Sequence, residues 1–153
     1  MQVQETYILQ AETELRSEIA MGGCFKVILL EGNAEMFGIE MALNREYVFS
    51  DENIAVFTWY GCKLQTASEN ASTYVSDSTP MVAYANTHMQ LEARRDAALA
   101  NQDFGPRVLV AGPSDSGKST AARILASYAC RLDRTPLYVD LDVGQSSVAV
   151  PGT

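Results

Sequence analysis

Apolar residues along positions 5–86 occur in short clusters that are separated by turn residues. Such clusters centre on Ile8 and on residues 15–20, 25–30 and 54–59, and none of them shows a helical period. Many short strands at close spacing are typical of an antiparallel sandwich. The pattern predicts an N-terminal β-sandwich over residues 1–86, with a tight hairpin turn at Gly22-Gly23.

A helix and a linker are predicted to follow the sandwich over residues 87–106. Residues 81–85 form the last predicted strand, and Thr87 and Gln90 then have the spacing of a capping box. Residues 91–100 are rich in Ala, Glu and Arg, which favour helix. His88 is the only histidine of the chain. We expect it on the surface, and a single histidine excludes a histidine-built metal site.

Residues 107–153 carry the pattern of an α/β domain. Residues 107–111 and 137–139 are apolar and predict two parallel strands, and the helix predicted between them has apolar residues at helical spacing: Ala121, Ile124, Leu125, Tyr128 and Leu132. Two parallel strands with one helix leave part of the sheet uncovered, because parallel sheets are covered on both faces. We therefore expect the start of a larger βαβ sheet and a chain that is a fragment.

The loop between the first of these strands and the helix carries a phosphate-binding motif. It fits the pattern G-x-x-x-x-G-K-[ST] at every required position, and Thr120 follows it. In such a loop, backbone N–H groups surround the phosphates at the positive end of a helix. The residues predicted to bind the nucleotide are Gly112, Pro113, Ser114, Asp115, Ser116, Gly117, Lys118, Ser119 and Thr120.

Individual side chains of the loop have predicted roles. Gly112 and Gly117 allow a backbone approach that a Cβ would block. Lys118 is expected to reach the β- and γ-phosphates of ATP, and the Ser119 hydroxyl to ligate Mg²⁺. Asp142 follows the second predicted strand, beside the loop, which is where such folds bind ligands. It is predicted to hold Mg²⁺ or to accept a proton from an attacking hydroxyl.

Charge is uneven along the chain and limits the choice of partner. Residues 1–100 contain 6 Lys and Arg against 14 Asp and Glu, whereas residues 101–153 contain 5 of each class. Because a nucleic-acid surface is basic, the first hundred residues are a poor candidate for binding a phosphate backbone. No run approaches the roughly 18 consecutive apolar residues of a membrane span, so we expect no membrane partner.

Several motifs resemble, in the same order, those of a known family. They are ETELR at 12–16, GNAEMFG at 32–38, FTWYGC at 57–62, NTH at 86–88, GPSDSGKST at 112–120 and YVDLDVGQ at 138–145. Together they resemble the polynucleotide 5′-hydroxyl kinase subunit of the eukaryotic pre-mRNA cleavage complex.

The resemblance implies a β-sandwich, a central P-loop kinase domain and a small C-terminal domain. It also implies phosphorylation of RNA 5′-hydroxyl ends with ATP and Mg²⁺ in the nucleus, with cleavage factor subunits or the tRNA-splicing endonuclease complex as partners. By the same resemblance, Lys118 is the essential cation and Glu14 holds the adenine. A second adenine contact in the family is a lysine, and Asn53 stands at that position here, so the charge is missing.

Three functions are compatible with the sequence. The first is an RNA 5′-hydroxyl kinase, whose lid arginines and RNA-binding elements would lie beyond Thr153, so we expect no phosphoryl transfer by the 153-residue chain alone. The second is a non-catalytic scaffold subunit that holds ATP. The third is an unrelated P-loop NTPase, such as a GTPase.

Overall fold

The structure is a computed structural model, and it describes residues 3–141. This part of the chain contains seven strands and two helices. The strands are β1 (Val3–Leu9), β2 (Thr13–Gly32), β3 (Glu35–Met36), β4 (Ile39–Glu40), β5 (Glu46–Ser50), β6 (Ile54–Thr58) and β7 (Cys62–Ser76). The helices are α1 (Met81–Ala100) and α2 (Lys118–Arg131).

The seven strands form a folded antiparallel sheet. Its order is β1-β7-β2-β6-β3-β4, with β5 paired to β2 outside this path. The long strand β2 pairs with β6 along its first half and with β5 along its second half. Apolar side chains from both halves, such as Leu15 and Val27, lie in one core together with Val56 and Leu64. Because the two halves pack over a common core, the folded sheet is a sandwich.

The predicted hairpin at Gly22-Gly23 is wrong. These two glycines lie inside β2, at the point where its pairing with β7 shifts register between Ile19 and Cys24. A Cβ on Gly23 would lie 2.7 Å from the carbonyl oxygen of Asn70. The glycines therefore allow the two strands to approach closely at a bulge, where the sheet bends.

Helix α1 begins earlier than the sequence pattern predicts. Residues 81–85, predicted as a strand, form its first turn, and Pro80 precedes it. Proline fits this position because its fixed φ suits a helix start and its missing N–H leaves no bond unmade. Thr87 does not cap the helix, because its hydroxyl donates to the Ala83 carbonyl within α1, at 2.8 Å. The boundaries drawn at residues 86 and 106 stay predictions.

Residues 107–111 and 137–139 form no strand in the part of the chain that the structure describes. Their apolar side chains are exposed, with Leu109 at 78% and Leu137 at 89%. A parallel strand exists only where neighbouring strands complete its hydrogen-bond ladder, and residues 3–141 supply no such neighbour. Within the same residues, neither helix has the length and apolar character needed to cross a membrane.

Candidate functional site

The phosphate-binding loop ends where α2 begins. Gly117 has a φ of 81°, in the left-handed region that favours glycine, and Lys118 is the first residue of the helix. Among residues 3–141 no side chain caps this end of α2, and the first turn of the helix contains no acidic residue. The N–H groups of the first turn therefore remain available for an anion, which the helix dipole favours at the same place.

The Lys118 side chain folds back over the loop. Its Nζ donates to the Pro113 carbonyl at 2.6 Å, and the Ser116 hydroxyl donates to the same oxygen at 2.9 Å. A Cβ on Gly112 would lie 2.9 Å from Ser116 Oγ, so glycine leaves room for the Ser116 hydroxyl where it lies in this structure. An anion on the loop would offer the Lys118 ammonium an opposite charge as well as hydrogen-bond acceptors, which the neutral Pro113 carbonyl does not.

The structure describes one of the two predicted metal ligands, Ser119. Ser119 lies in the first turn of α2, next to Lys118, and is exposed. Its hydroxyl is the kind of hard oxygen that suits Mg²⁺. Asp142 lies outside the described residues, so its role stays a prediction.

A cleft of about 350 Å³ lies between the sandwich and the start of α2. It brings together predicted residues that are far apart in sequence, namely Glu14 and Asn53 on the sandwich side and Gly117 and Thr120 on the α2 side. Other residues that line it include Arg16, Glu35, Phe37, Ile54, Phe57, Tyr74, Tyr84 and Ile124. The position of the cleft beside the loop suits a ligand with a phosphate end and an aromatic end.

Glu14 is held firmly in the wall of the cleft. Its side chain belongs to a residue that is only 3% exposed, and it accepts hydrogen bonds from Arg16 Nε at 2.6 Å and from Thr79 Oγ1 at 2.7 Å. Arg16 also donates to the Ser78 carbonyl at 2.7 Å, which ties this pair to the segment before α1. A buried carboxylate is tolerated because these donors replace the water that it has lost.

Sequence reasoning missed Arg16 and Thr79. Arg16 could have been found, because residues two apart on a strand share one face and Glu14 is therefore its neighbour. Thr79 is 65 residues from Glu14, and no local pattern signals that contact.

Asn53 lines the cleft but also holds the sandwich together. Its Oδ1 accepts a hydrogen bond from the backbone N–H of Ile19 at 3.2 Å. The side chain is neutral, and its carbonyl oxygen is engaged with β2. Asn53 therefore contributes polar surface to the cleft without a charge.

A cluster of three polar side chains, Glu35, Tyr128 and Arg131, holds the second half of α2 against the sandwich. The buried carboxylate of Glu35 accepts a hydrogen bond from the Tyr128 hydroxyl and another from Arg131 Nη1 at 2.8 Å. Burial, followed by the contact with Glu35, raises the pKa of Tyr128. The hydroxyl therefore remains protonated and keeps its place as the donor.

A second cluster of polar side chains joins α1 to the segment that follows α2. Glu92 accepts hydrogen bonds from Arg134 Nε at 2.8 Å and from Arg95. Burial alone would raise the pKa of Glu92, but the hydrogen bonds from Arg134 and Arg95 outweigh it and lower the pKa. The carboxylate is therefore ionised at neutral pH and holds α1 to Arg134, three residues after the end of α2.

The expectation that His88 lies on the surface is wrong. His88 is 8% exposed and packs its ring against Tyr128, with ring centroids 5.4 Å apart. Its Nδ1 has no hydrogen-bond partner among the described residues and lies 3.9 Å from a Glu92 oxygen. Burial lowers the pKa of His88. The prediction placed His88 at the start of a helix. Because α1 begins six residues before Thr87, His88 instead lies inside the helix, on the side that packs against Tyr128 of α2.

The fold and the loop together define a β-sandwich joined to the start of a P-loop nucleotide-binding domain. The family model of the N-terminal beta-sandwich domain of polyadenylation factor matches residues 8–98, and the model of the mRNA cleavage and polyadenylation factor CLP1 P-loop matches residues 112–153. The chain therefore belongs to the CLP1 polyadenylation factor family. The predicted sandwich and the predicted start of a P-loop domain are confirmed.

Curated relatives agree with this assignment. The chain is 49% identical to the polyribonucleotide 5′-hydroxyl-kinase Clp1 of Homo sapiens, and 51% identical to that of Danio rerio, over 146 residues in each case. These matches cover 95% of this chain and 34% and 33% of the relatives. The chain thus spans about a third of the length of the curated relatives that it matches.

Solved structures show the same fold. A structure of the wild-type Clp1p–Pcf11p complex superposes with a TM-score of 0.75 at 24% identity, over 86% of this chain and 30% of that one. A second structure, concerned with an extended interface between Pcf11p and Clp1p and with ATP loss in a point mutant, also gives a TM-score of 0.75, at 23% identity, over 86% of this chain and 31% of that one.

Proposed function

We propose that this chain supplies the ATP-binding part of an RNA 5′-hydroxyl kinase that acts in mRNA 3′-end processing. The observation that carries the proposal is the cleft of about 350 Å³ at the start of α2, where Glu14 faces the phosphate-binding loop. One end of this cleft is lined by Gly117 and Thr120 at the start of α2, next to Lys118 in the chain, and the other is lined by the Glu14 carboxylate and by aromatic rings. This combination suits a nucleoside triphosphate.

Each end of the cleft has a distinct task. The amides of the α2 start and Lys118 bind the negatively charged phosphates. Glu14 accepts a hydrogen bond from the exocyclic amine of adenine, and Arg16 and Thr79 keep its carboxylate in place. Phosphoryl transfer requires little covalent chemistry from the protein, so catalysis consists of positioning and charge stabilisation.

Magnesium fits the residues at the phosphate end. Ser119 at the start of α2 carries a hydroxyl oxygen and Asp142, a ligand predicted from the sequence, carries carboxylate oxygens; Mg²⁺ prefers such oxygens and would neutralise charge on the phosphates. Asp142 also accepts the proton that the attacking RNA 5′-hydroxyl loses. We further propose a nuclear location, with cleavage factor subunits or the tRNA-splicing endonuclease complex as partners.

A scaffold that holds ATP without turning it over is the second candidate. The observation in its favour is that the two solved structures described above concern Clp1p with Pcf11p, and that one of them concerns ATP loss in a point mutant. In that case the bound nucleotide stabilises the folded protein where the sandwich meets the P-loop, because it binds the native state and not the unfolded state. An unrelated P-loop NTPase has no support, given the family match.

Phosphoryl transfer from labelled ATP to a 5′-hydroxyl oligoribonucleotide distinguishes the two candidates. We expect transfer by a gene product that spans the length of the curated relatives, no transfer by the 153-residue chain, and no transfer by the longer protein with Lys118→Ala. Lys63→Ala is the matched control, because Lys63 pairs with Glu31 on the sandwich. Tight ATP binding by the longer protein without transfer would favour the scaffold and contradict the kinase.

A further inference from the structure

A row of three residues crosses the sheet beneath α2. Glu14 on β2 and Glu35 on β3 both stand opposite Phe57 on β6, the strand between them. Their neighbours Leu15, Met36 and Val56 point to the sandwich core. Since side chains alternate along a strand, the row Glu14–Phe57–Glu35 faces the opposite side of the sheet.

Helix α2 lies along this row. Its first residues share the cleft with Glu14, Ile124 lies in one apolar cluster with Phe57, and the Tyr128 hydroxyl contacts Glu35. Two strand spacings amount to about 10 Å. The helix rises about 12 Å from Thr120 to Tyr128, so the two lengths match.

The turn between β3 and β4 touches α2 at the same end. A Cβ on Gly38 would lie 3.0 Å from the Ile124 carbonyl oxygen and 3.2 Å from the Ser127 Cβ. Arg131 donates to the Gly38 carbonyl at 3.2 Å as well as to Glu35. The β3–β4 turn thus approaches the backbone of α2 directly at Gly38.

We propose that Glu35 and Tyr128 are positioning residues that set how far α2 extends along the row, and with it the distance between the phosphate loop and Glu14. The inference rests on the proposed nucleotide-binding function. A helix that is free to slide along its axis moves Gly117 and Lys118 relative to Glu14. A ligand that reaches both ends of the cleft then loses affinity, whereas a ligand that touches only the loop does not.

Two ligands separate this role from a general effect on folding. Mg-ATP reaches both ends of the cleft, and Mg-tripolyphosphate reaches only the loop. We expect Tyr128→Phe, which removes one hydroxyl, to weaken Mg-ATP binding by about tenfold, the equivalent of one buried hydrogen bond. We expect its affinity for Mg-tripolyphosphate to stay within about twofold, and Glu35→Gln to show the same selectivity.

Tyr47→Phe is the matched control. The Tyr47 hydroxyl accepts a hydrogen bond from the Ala42 N–H at 2.9 Å, within the sandwich and away from the α2 row. This variant should bind both ligands as the unchanged chain does. Calorimetry is run well below the melting temperature of each variant, and circular dichroism confirms that each is folded.

The outcomes are distinct. Equal weakening of both ligands by Tyr128→Phe, or weakening of neither, overturns the positioning role and leaves the nucleotide site intact. Failure of the unchanged, folded chain to bind either ligand overturns the proposed function and this inference with it.

Discussion

Apolar residues are buried in the sandwich but exposed in the segments on either side of α2. In the sandwich, Leu15, Val27, Leu29 and Leu64 are at most 1% exposed. In residues 107–111 and 137–141, equally apolar side chains lie on the surface. Hydrophobicity is similar in the two regions, so it does not account for the difference.

The difference lies in where the strand partners come from. Antiparallel strands find partners close by, and β2 alone pairs with β5, β6 and β7. Parallel strands need crossover connections to further strands, and the described residues contain none for residues 107–111. Helix α2 forms in spite of this, because the sandwich and α1 cover its apolar face through Ile124 and Tyr128.

Paired leucine substitutions give the largest expected contrast between the two regions. Leu29→Ala should lower the free energy of unfolding by about 2–5 kcal/mol, because it leaves a cavity in the core. Leu109→Ala removes the same atoms from an exposed site and should change that free energy by less than about 0.5 kcal/mol. Urea denaturation followed by circular dichroism measures both. A large loss for Leu109→Ala would show that residues 107–111 pack as a strand.

A smaller effect is expected at the junction of the two regions, where His88 lies. Burial lowers the pKa of His88 from its ordinary value of 6.5, with Glu92 opposing the change and Arg95 and Arg131 adding to it. The unfolded chain therefore binds a proton that the folded chain does not. Stability should fall as the pH is lowered from about 7 through 6.5 towards the folded-state pKa.

The test compares the unchanged chain with His88→Gln. As His88 is the only histidine and side-chain carboxylates titrate mainly below this range, the variant should show a flatter profile of unfolding free energy between pH 7 and 6. An equally steep profile in the variant would mean that protonation of His88 does not cause the loss of stability.

The glycine-rich loop and the helix after it were predicted from local sequence features, whereas the predicted hairpin at Gly22-Gly23 and the predicted cap at Thr87 were wrong. The loop from Gly112 to Ser119 is encoded by its own glycines and by the helix that follows, so its geometry needs little from the rest of the chain. The sandwich was also predicted from the apolar pattern alone. The Gly22-Gly23 pair was misassigned because two glycines are typical of a hairpin turn as well as of a bulge. Pro80 indicates the start of α1, because proline is common at helix starts. The apolar run after it, residues 81–85, favoured the prediction of a strand instead.

Long-range contacts could not be predicted from residue patterns. The approach of Glu14 and Asn53 to the loop was implied by the family resemblance, not by spacing. The bonds from Thr79 to Glu14 and from Tyr128 to Glu35 join residues 65 and 93 positions apart. Such pairs depend on how sandwich and helices pack, which a single sequence does not reveal.

Calorimetric titration of the folded chain with Mg-ATP tests the central claim most directly. The account predicts saturable binding at one site, weakened on the order of 100-fold by Lys118→Ala, as expected when one partner of a close charge pair is removed. Circular dichroism should show that the variant is folded. No uptake of Mg-ATP by the folded, unchanged chain, or equal uptake by Lys118→Ala, would contradict the account.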